Sequence, residues 1–153
     1  MFKNSHVALM DVEYIQTSQD HMCSRKIAIL LADGKTSFIR EYTPCTPYKY
    51  LDVKWQRTHH YCSRKIHHLG YYPKDGSFSC KEAIQMIKDI LEWNGVERVL
   101  YKGGDIERKI CNQIGISSLN IEQFGAPKAT SHDPLEELKE HYIYLKQNVS
   151  VLF

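Results

Sequence analysis

The chain has 153 residues, of which 42% are hydrophobic and 25% charged, an ordinary globular composition that allows a buried core. This length predicts one domain over residues 1–153, and without a long apolar run we expect no membrane-spanning segment. The formal charge of +2 excludes neither an acidic nor a basic partner, because a nearly balanced chain can still segregate its charges.

Three short apolar runs open the chain and predict a meander of three strands. Residues 6–15 and 25–32 are rich in strand-forming side chains, and residues 35–42 form the third run. Asp33 and Gly34 separate the second run from the third, and this dipeptide is typical of a hairpin turn.

Regular periodicity fails over residues 43–78, which we call the excursion. We interpret it as a long loop or a strip of short irregular elements, and loops of that length are usually functional or disordered. Residues 48–74 contain six Lys or Arg, one acid and six interleaved aromatic rings. Cations beside rings suit a single-stranded nucleic acid, while the alternative is a solvated loop with a few buried tyrosines. The predicted substrate-binding residues are Lys54, Trp55, Arg57, Arg64, Lys65, His68 and Tyr72.

Helical periodicity begins after the excursion. Ser79 and Glu82 form a capping-box pattern, and the apolar spacing that follows predicts a helix that Asn94 and Gly95 end. Residues 96–102 are then typical of a strand.

The last third of the chain predicts two further helices. Isoleucines spaced by four residues indicate a helix over residues 106–114, and residues 119–124 are a short strand candidate. Asp133 before Pro134 is a strong helix start. The order β-β-β-α-β-α-β-α, with the excursion set aside, implies an α/β domain with a mixed five-stranded sheet and helices on its faces.

Asp11 and Glu13 stand at the end of the first predicted strand. Side chains two residues apart on a strand face the same way, so the two carboxylates repel one another unless a cation or a proton lies between them. Two hard oxygen ligands on a rigid strand suit Mg²⁺ or Mn²⁺. The alternative is a solvated strand end.

Later acids and histidines extend this pattern. Asp105 and Glu107 open the predicted second helix, His132 is followed five residues later by Glu137, and a His67-His68-Leu69-Gly70 stretch precedes the first helix. In order and spacing the chain resembles the DEDDh 3′–5′ exonuclease superfamily over most of residues 6–146. In outline it is also similar to the Maelstrom domain, a family of the same architecture that has replaced the usual acids.

The resemblance implies a ribonuclease H-like fold and a metal-dependent 3′–5′ exonuclease acting on single-stranded RNA or DNA. Two Mg²⁺ or Mn²⁺ ions would be held by the acids, with His132 as the general base and the excursion guiding the 3′ end. Glu137 replaces the family's Asp, and its alternative role is that of an exposed helix glutamate. Asp105 is alternatively a helix cap. The acids implied as metal ligands are Asp11, Glu13, Asp105, Glu107 and Glu137.

Other functions stay open at this point. Cys62 with nearby histidines is a possible structural zinc site, although no second close pair completes a familiar spacing. A catalytically degenerate nuclease fold would bind nucleic acid or protein without cutting. The residues 149–153 could form a last strand or dock a protein partner.

The cysteines bear on the compartment. They are odd in number, widely spaced and without a CxxC pair, which is typical of reduced thiols. We therefore expect an intracellular protein, cytoplasmic or nuclear. The five positions are Cys23, Cys45, Cys62, Cys80 and Cys111.

Overall fold

A computed structural model of the protein describes residues 6–74 and 77–153. Residues 75 and 76 of the predicted excursion therefore lie outside the described part. The strands are β1 (Val7–Ser18), β2 (His21–Leu31), β3 (Ser37–Thr43), β4 (Phe78–Ser79), β5 (Arg98–Tyr101) and β6 (Ser117–Asn120). The helices are α1 (Val53–Cys62), α2 (Ala83–Trp93), α3 (Ile106–Ile114) and α4 (Pro134–Asn148).

The strands form one mixed sheet in the order β4-β3-β2-β1-β5-β6. The first three are an antiparallel meander, as predicted, and β5 and β6 continue the sheet in parallel from β1. The α/β class is thus confirmed, but the count of five strands is wrong. The strand that was not predicted is β4, which pairs in parallel with the end of β3. It is only two residues long and therefore too short to leave an alternating pattern in the sequence.

The predicted hairpin between β2 and β3 is present, and its turn is fixed by hydrogen bonds. The Asp33 carboxylate accepts from the backbone N–H groups of Lys35 and Thr36, each at 2.8 Å. Gly34 adopts φ +73°, and a Cβ there would come within 2.4 Å of the Tyr142 ring. Glycine is therefore required both by its backbone conformation and by α4 packing against the turn.

Helices cover both faces of the sheet because successive residues of β1 point to opposite sides. Ala8 and Met10 pack in one core with apolar residues of α2 and α3. Val7 and Leu9 pack in a second core with Leu138 and other residues of α4. Asp11 is two residues beyond Leu9 on β1, so its side chain points to the same face of the sheet, the face covered by α4.

The excursion is more regular than expected. It contains α1, followed directly by a π-helical segment, Ser63–His67, where a long loop or short irregular elements were predicted. The prediction missed this helix because His59 is the only residue of α1 that is buried, so no apolar stripe marks it. Arg25, itself buried, donates to the carbonyl of Gly70 and pairs with Glu41, which ties the excursion to β2.

Two cysteines form a disulfide bond in the structure, Cys45 with Cys80. The prediction that all five thiols are reduced is wrong for this pair, whereas Cys23, Cys62 and Cys111 are free. The separation of 35 positions in sequence hides this disulfide, and the pairing of β3 with β4 brings the two cysteines together. The intracellular location stays a prediction.

The ends of two predicted elements differ from the structure. The strand expected over residues 119–124 covers Ser117–Asn120, after which the Asn120 side chain accepts from the Glu122 N–H and starts a 3-10 turn. The tail forms another 3-10 turn rather than a strand, with Phe153 buried against Tyr142.

None of the helices in the described ranges is long and apolar enough to cross a bilayer.

Candidate active site

The site begins where β1 extends beyond its parallel neighbour. β5 pairs only with Val7–Leu9, so the following residues of β1 have β2 on one side and no described strand on the other. The backbone N–H of Val12, left without a strand partner there, donates to the Glu107 carboxylate at 2.9 Å. This bond brings the first turn of α3 against the middle of β1.

Three carboxylates meet on the α4 side of this opening. One oxygen each of Asp11, Glu13 and Glu137 lies within 4.8 Å of the others. Glu137 reaches them because α4 begins at Pro134, where Asp133 accepts from the Glu136 N–H as the predicted N-cap. Residues separated by more than 120 positions in sequence therefore share one cluster.

Glu107 is the fourth acid of this neighbourhood and is only 3% exposed. Its charge adds to those that raise the pKa of Asp11, and the charges of Glu13 and Glu137 in turn raise its own pKa. One of its oxygens accepts from the Val12 N–H. Four of the five acids implied by the family resemblance thus lie in one neighbourhood, with Glu107 beside the group of three.

Burial and mutual repulsion perturb all four groups. Burial, followed by the charges of Glu137 and Glu13, raises the pKa of Asp11 to about 9. Burial likewise raises the pKa of Glu13 to about 7 and that of Glu107 to about 7. One Asp11 oxygen is buried without a hydrogen-bond partner among the described residues. A cluster of this kind is relieved by protons or by a cation.

His132 lies beside the acids, in the loop before α4. Burial raises the pKa of Glu137, and the charge of His132 opposes that effect. The His132 ring packs edge-on against His68, with centroids 4.6 Å apart. His68 has φ 58°, the left-handed conformation that ends the π-helical segment and that non-glycine residues seldom adopt. The excursion thereby contacts the predicted base.

Asp105 stands apart from the group. It occupies the N-cap position of α3, but its side chain makes no capping hydrogen bond and instead pairs with Arg108 at 3.3 Å. Asp105 lines the same cavity as Asp11 and Glu107, but Glu107, unlike Asp105, is among the charges that raise the pKa of Asp11. Of the two acids that open α3, Glu107 is therefore the better ligand candidate.

The predicted substrate-binding residues lie on or next to α1 and the π-helical segment. All of them are exposed except Trp55, which is half-buried against Ile15 and Tyr71, with the Lys54 ammonium 4.8 Å from its ring centroid. The Tyr72 hydroxyl accepts from the Tyr48 N–H. The exposed members are Lys54, Arg57, Arg64, Lys65, His68 and Tyr72.

The excursion borders the acids directly. A cavity runs between β1 and the excursion, lined by Glu13 and Tyr14 on one side and by Thr58, Cys62 and Ile66 on the other. The excursion therefore lies next to Glu13, which is one of the three clustered acids.

The histidines near Cys62 are engaged in packing. Within residues 6–74 and 77–153, no three side chains that include Cys62 bring ligand atoms within 4.8 Å of each other. His59 packs edge-on against Tyr71, and burial lowers the pKa of His67 to about 4. The His67 Nδ1 accepts from the Leu69 N–H. This arrangement gives the zinc alternative through Cys62 no support.

Sequence analysis missed two residues of the site, Lys102 and His141. Both line a cavity with Asp11 and Glu137. His141 follows Glu137 by four residues on α4, a spacing that places both on one helix face and could have revealed it. Burial, then the charge of Lys102, lowers the pKa of His141, whose Nε2 has no partner among the described residues.

The sequence matches no known family model and no curated protein with which it was compared. The geometry therefore carries the functional argument. It offers clustered, partly buried carboxylates and a flanking histidine. It also offers exposed cations on the excursion, Lys54, Arg57, Arg64 and Lys65, which we call the basic strip. Together these groups can hold divalent cations beside an anionic polymer.

Proposed function

We propose that this protein is a divalent-metal-dependent 3′–5′ exonuclease that hydrolyses single-stranded nucleic acid. The observation that carries the proposal is the convergence of Asp11, Glu13 and Glu137, with Glu107 behind them, on the stretch of β1 that has β2 on one side and no described strand on the other. The members of the cluster are all acids, and the neighbouring Lys26 and Lys102 do not cancel the effect of burial, because the pKa values of Glu13 and Glu137 remain raised.

The architecture supports the finer assignment to a ribonuclease H-like fold. With α1 and β4 treated as parts of an inserted excursion, the elements follow the order β-β-β-α-β-α-β-α. The acids also fall on the elements where the DEDDh resemblance expects them, namely β1, α3 and the start of α4. Fold alone does not establish an activity, so the acids rather than the sheet support the enzymatic proposal.

The residues present fit hard divalent cations. A buried Asp11 oxygen without a partner and two neighbouring carboxylates supply oxygen ligands of the kind that Mg²⁺ and Mn²⁺ prefer. Asp11, Glu13 and Glu137 would hold the metal, with Glu107 as a further ligand. When bound, two such ions lower the pKa of water and neutralise charge on the scissile phosphate.

The other side chains would position the substrate and move protons. His132 is placed to accept a proton from the attacking water through its imidazole. Lys102 lines a cavity with Asp11 and Glu137, where it could contact a phosphate oxygen. The basic strip would bind the upstream phosphates, and its exposed rings would stack on bases.

The proposal is tested with single-stranded RNA and DNA carrying a label at the 5′ end. We expect a ladder of 5′-labelled products that shortens with time in Mn²⁺ or Mg²⁺, with nucleoside monophosphates released. No shortening is expected with a chelator. Endonucleolytic fragments alone, or shortening that does not respond to the metal, would contradict the proposal.

His132→Gln should lower the rate of chemistry while leaving binding intact. We expect kcat to fall about 100-fold or more, because a positioned general base contributes on that order, with KM changed by less than about threefold. The measurement is single-turnover shortening at saturating enzyme. His6→Gln, which changes a histidine that contacts Glu97 at the far end of β1, is the matched control and should behave as wild type. Equal rates for the two variants would remove His132 from the mechanism.

The basic strip should contribute affinity rather than chemistry. Changing Arg57, Arg64 and Lys65 together to Gln should weaken binding by about tenfold or more at low salt. The slope of log affinity against log salt should fall by about two, since each phosphate contact contributes roughly 0.7 for single strands. Filter binding in Mg²⁺-free buffer measures both, with Lys35→Gln in the β2–β3 turn as control. An unchanged slope would show that the strip does not contact phosphates.

A degenerate nuclease fold is the second candidate. The bond from the Val12 N–H to Glu107 favours it, because that carboxylate already has a structural role. Such a protein would bind single strands with the same salt dependence but would not shorten them.

A protein partner at the tail stays a prediction. Val151, which is 87% exposed beside the buried Phe153, would be the contact residue.

A further inference from the structure

A second group of potential ligands lies away from the acids, at the base of the excursion. Cys23, Cys45 and Cys80 bring their sulfur atoms within 4.8 Å of one another. His21 adds an imidazole whose Nε2 is 3.4 Å from the Cys23 sulfur. All four residues line one cavity.

The fold explains why these residues meet. His21 and Cys23 are two positions apart on β2 and therefore face the same side. Cys45 follows β3, and Cys80 follows β4, the two-residue strand paired with β3. Because β2, β3 and β4 are neighbours in the sheet, the three cysteines lie close together.

We propose that the reduced protein binds one Zn²⁺ through His21, Cys23, Cys45 and Cys80. Three thiolates and one neutral imidazole are a common structural zinc set, with zinc–sulfur bonds of roughly 2.3 Å. A tetrahedral ion with such bonds separates its sulfur ligands by roughly 3.8 Å, so the observed cluster needs only local side-chain adjustment. Lys81 and Lys109 line the same cavity and offset the net negative charge of that ligand set.

The disulfide and the zinc are alternative states of the same sulfur atoms. A dithiol reductant gives two electrons to the Cys45–Cys80 bond, which breaks, and the reductant closes to its own disulfide. The two new thiols and Cys23 each lose a proton to solvent as they bind the ion. Zinc remains Zn²⁺ throughout.

The two states hold the excursion differently. The disulfide joins its ends only to each other, whereas the ion also attaches them to β2 through His21 and Cys23. Zinc should therefore fix the excursion to the sheet more firmly, and redox conditions would decide between the two linkages.

The experiment measures metal content and coordination of the full chain purified with a dithiol. We expect about one zinc per chain by atomic emission after gel filtration, and Co²⁺ substitution should give the visible bands of a tetrahedral thiolate site. Oxidation should release the ion. Mn²⁺ should not displace it, since manganese prefers oxygen ligands.

Variants separate this site from the disulfide and from the acids. Cys23→Ser should weaken zinc binding by more than about 100-fold, while its matched control Cys62→Ser keeps the ion. His21→Asn, at an exposed position, should weaken binding at least about tenfold. Reduced wild type that holds no zinc, or equal zinc content in the Cys23 and Cys62 variants, would overturn the proposal. Neither outcome bears on the exonuclease.

Discussion

Asp11→Asn should abolish metal-dependent shortening, lowering its rate by about 1000-fold or more. Asp11 is at the centre of the cluster, since its pKa responds to Glu137, Glu13 and Glu107 together. Asparagine keeps the shape but removes the negative charge that holds a cation. Single-turnover assays with 5′-labelled strands measure the rate, and calorimetric titration with Mn²⁺ measures the loss of metal binding.

Asp89→Asn is the matched control for this substitution. Asp89 is exposed on α2, where it accepts from the Gln85 side chain at 2.8 Å, and it should leave the rate unchanged. Binding of single strands without metal should survive in both variants. If wild type, Asp11→Asn and Asp89→Asn all shorten the strand at the same rate, the activity arises elsewhere and the exonuclease proposal fails. If none shortens it while all bind it, the degenerate fold is the correct account.

The same substitution should stabilise the metal-free protein at alkaline pH. The pKa of Asp11 is raised by burial to about 9 when folded and lies near its ordinary value of 3.8 when unfolded. The folded state therefore holds this proton more tightly, so its contribution to stability is fully present below pH 3.8 and declines as the pH rises towards 9. Glu13, with a folded pKa of about 7, acts in the same direction.

Thermal unfolding at several pH values measures this effect. The difference between the Tm of Asp11→Asn and that of wild type should increase with pH. Near pH 8 the variant's Tm should be higher by about 3 °C or more. Mn²⁺ should raise the Tm of wild type and have little effect on the variant. The Cys45–Cys80 disulfide is kept oxidised, so that the cysteine cluster binds no added ion. A Tm difference that is the same at every pH would show that Asp11 is not held protonated by the fold.

The acids that could be predicted from the sequence are those that local rules position. Asp11 and Glu13 share a face because strands repeat every two residues, and Glu137 is placed by the cap at Asp133. Local rules do not position Glu107. Its hydrogen bond with the Val12 N–H forms at a part of β1 that lies beyond the pairing with β5. That register is a tertiary property, and no local pattern encodes it.

The elements missed from the sequence have a related explanation. α1 buries His59 rather than an apolar stripe, so it lacks the signal by which amphipathic helices are recognised. The cysteines of the cluster come from β2, from the end of β3 and from beyond β4, and only the sheet order makes them neighbours. His141 was within reach of prediction, since it follows Glu137 by four residues.

The short span between the two ends of the excursion has a consequence for how such a protein diversifies. The Cα atoms of Cys45 and Cys80 are 6.1 Å apart, so the chain leaves the sheet and returns at nearly the same point. A segment of different length or composition can be exchanged at that point without moving the carboxylates, because closing a longer loop costs little additional free energy. The proposed catalytic centre and the proposed substrate-binding surface are in this sense separable modules.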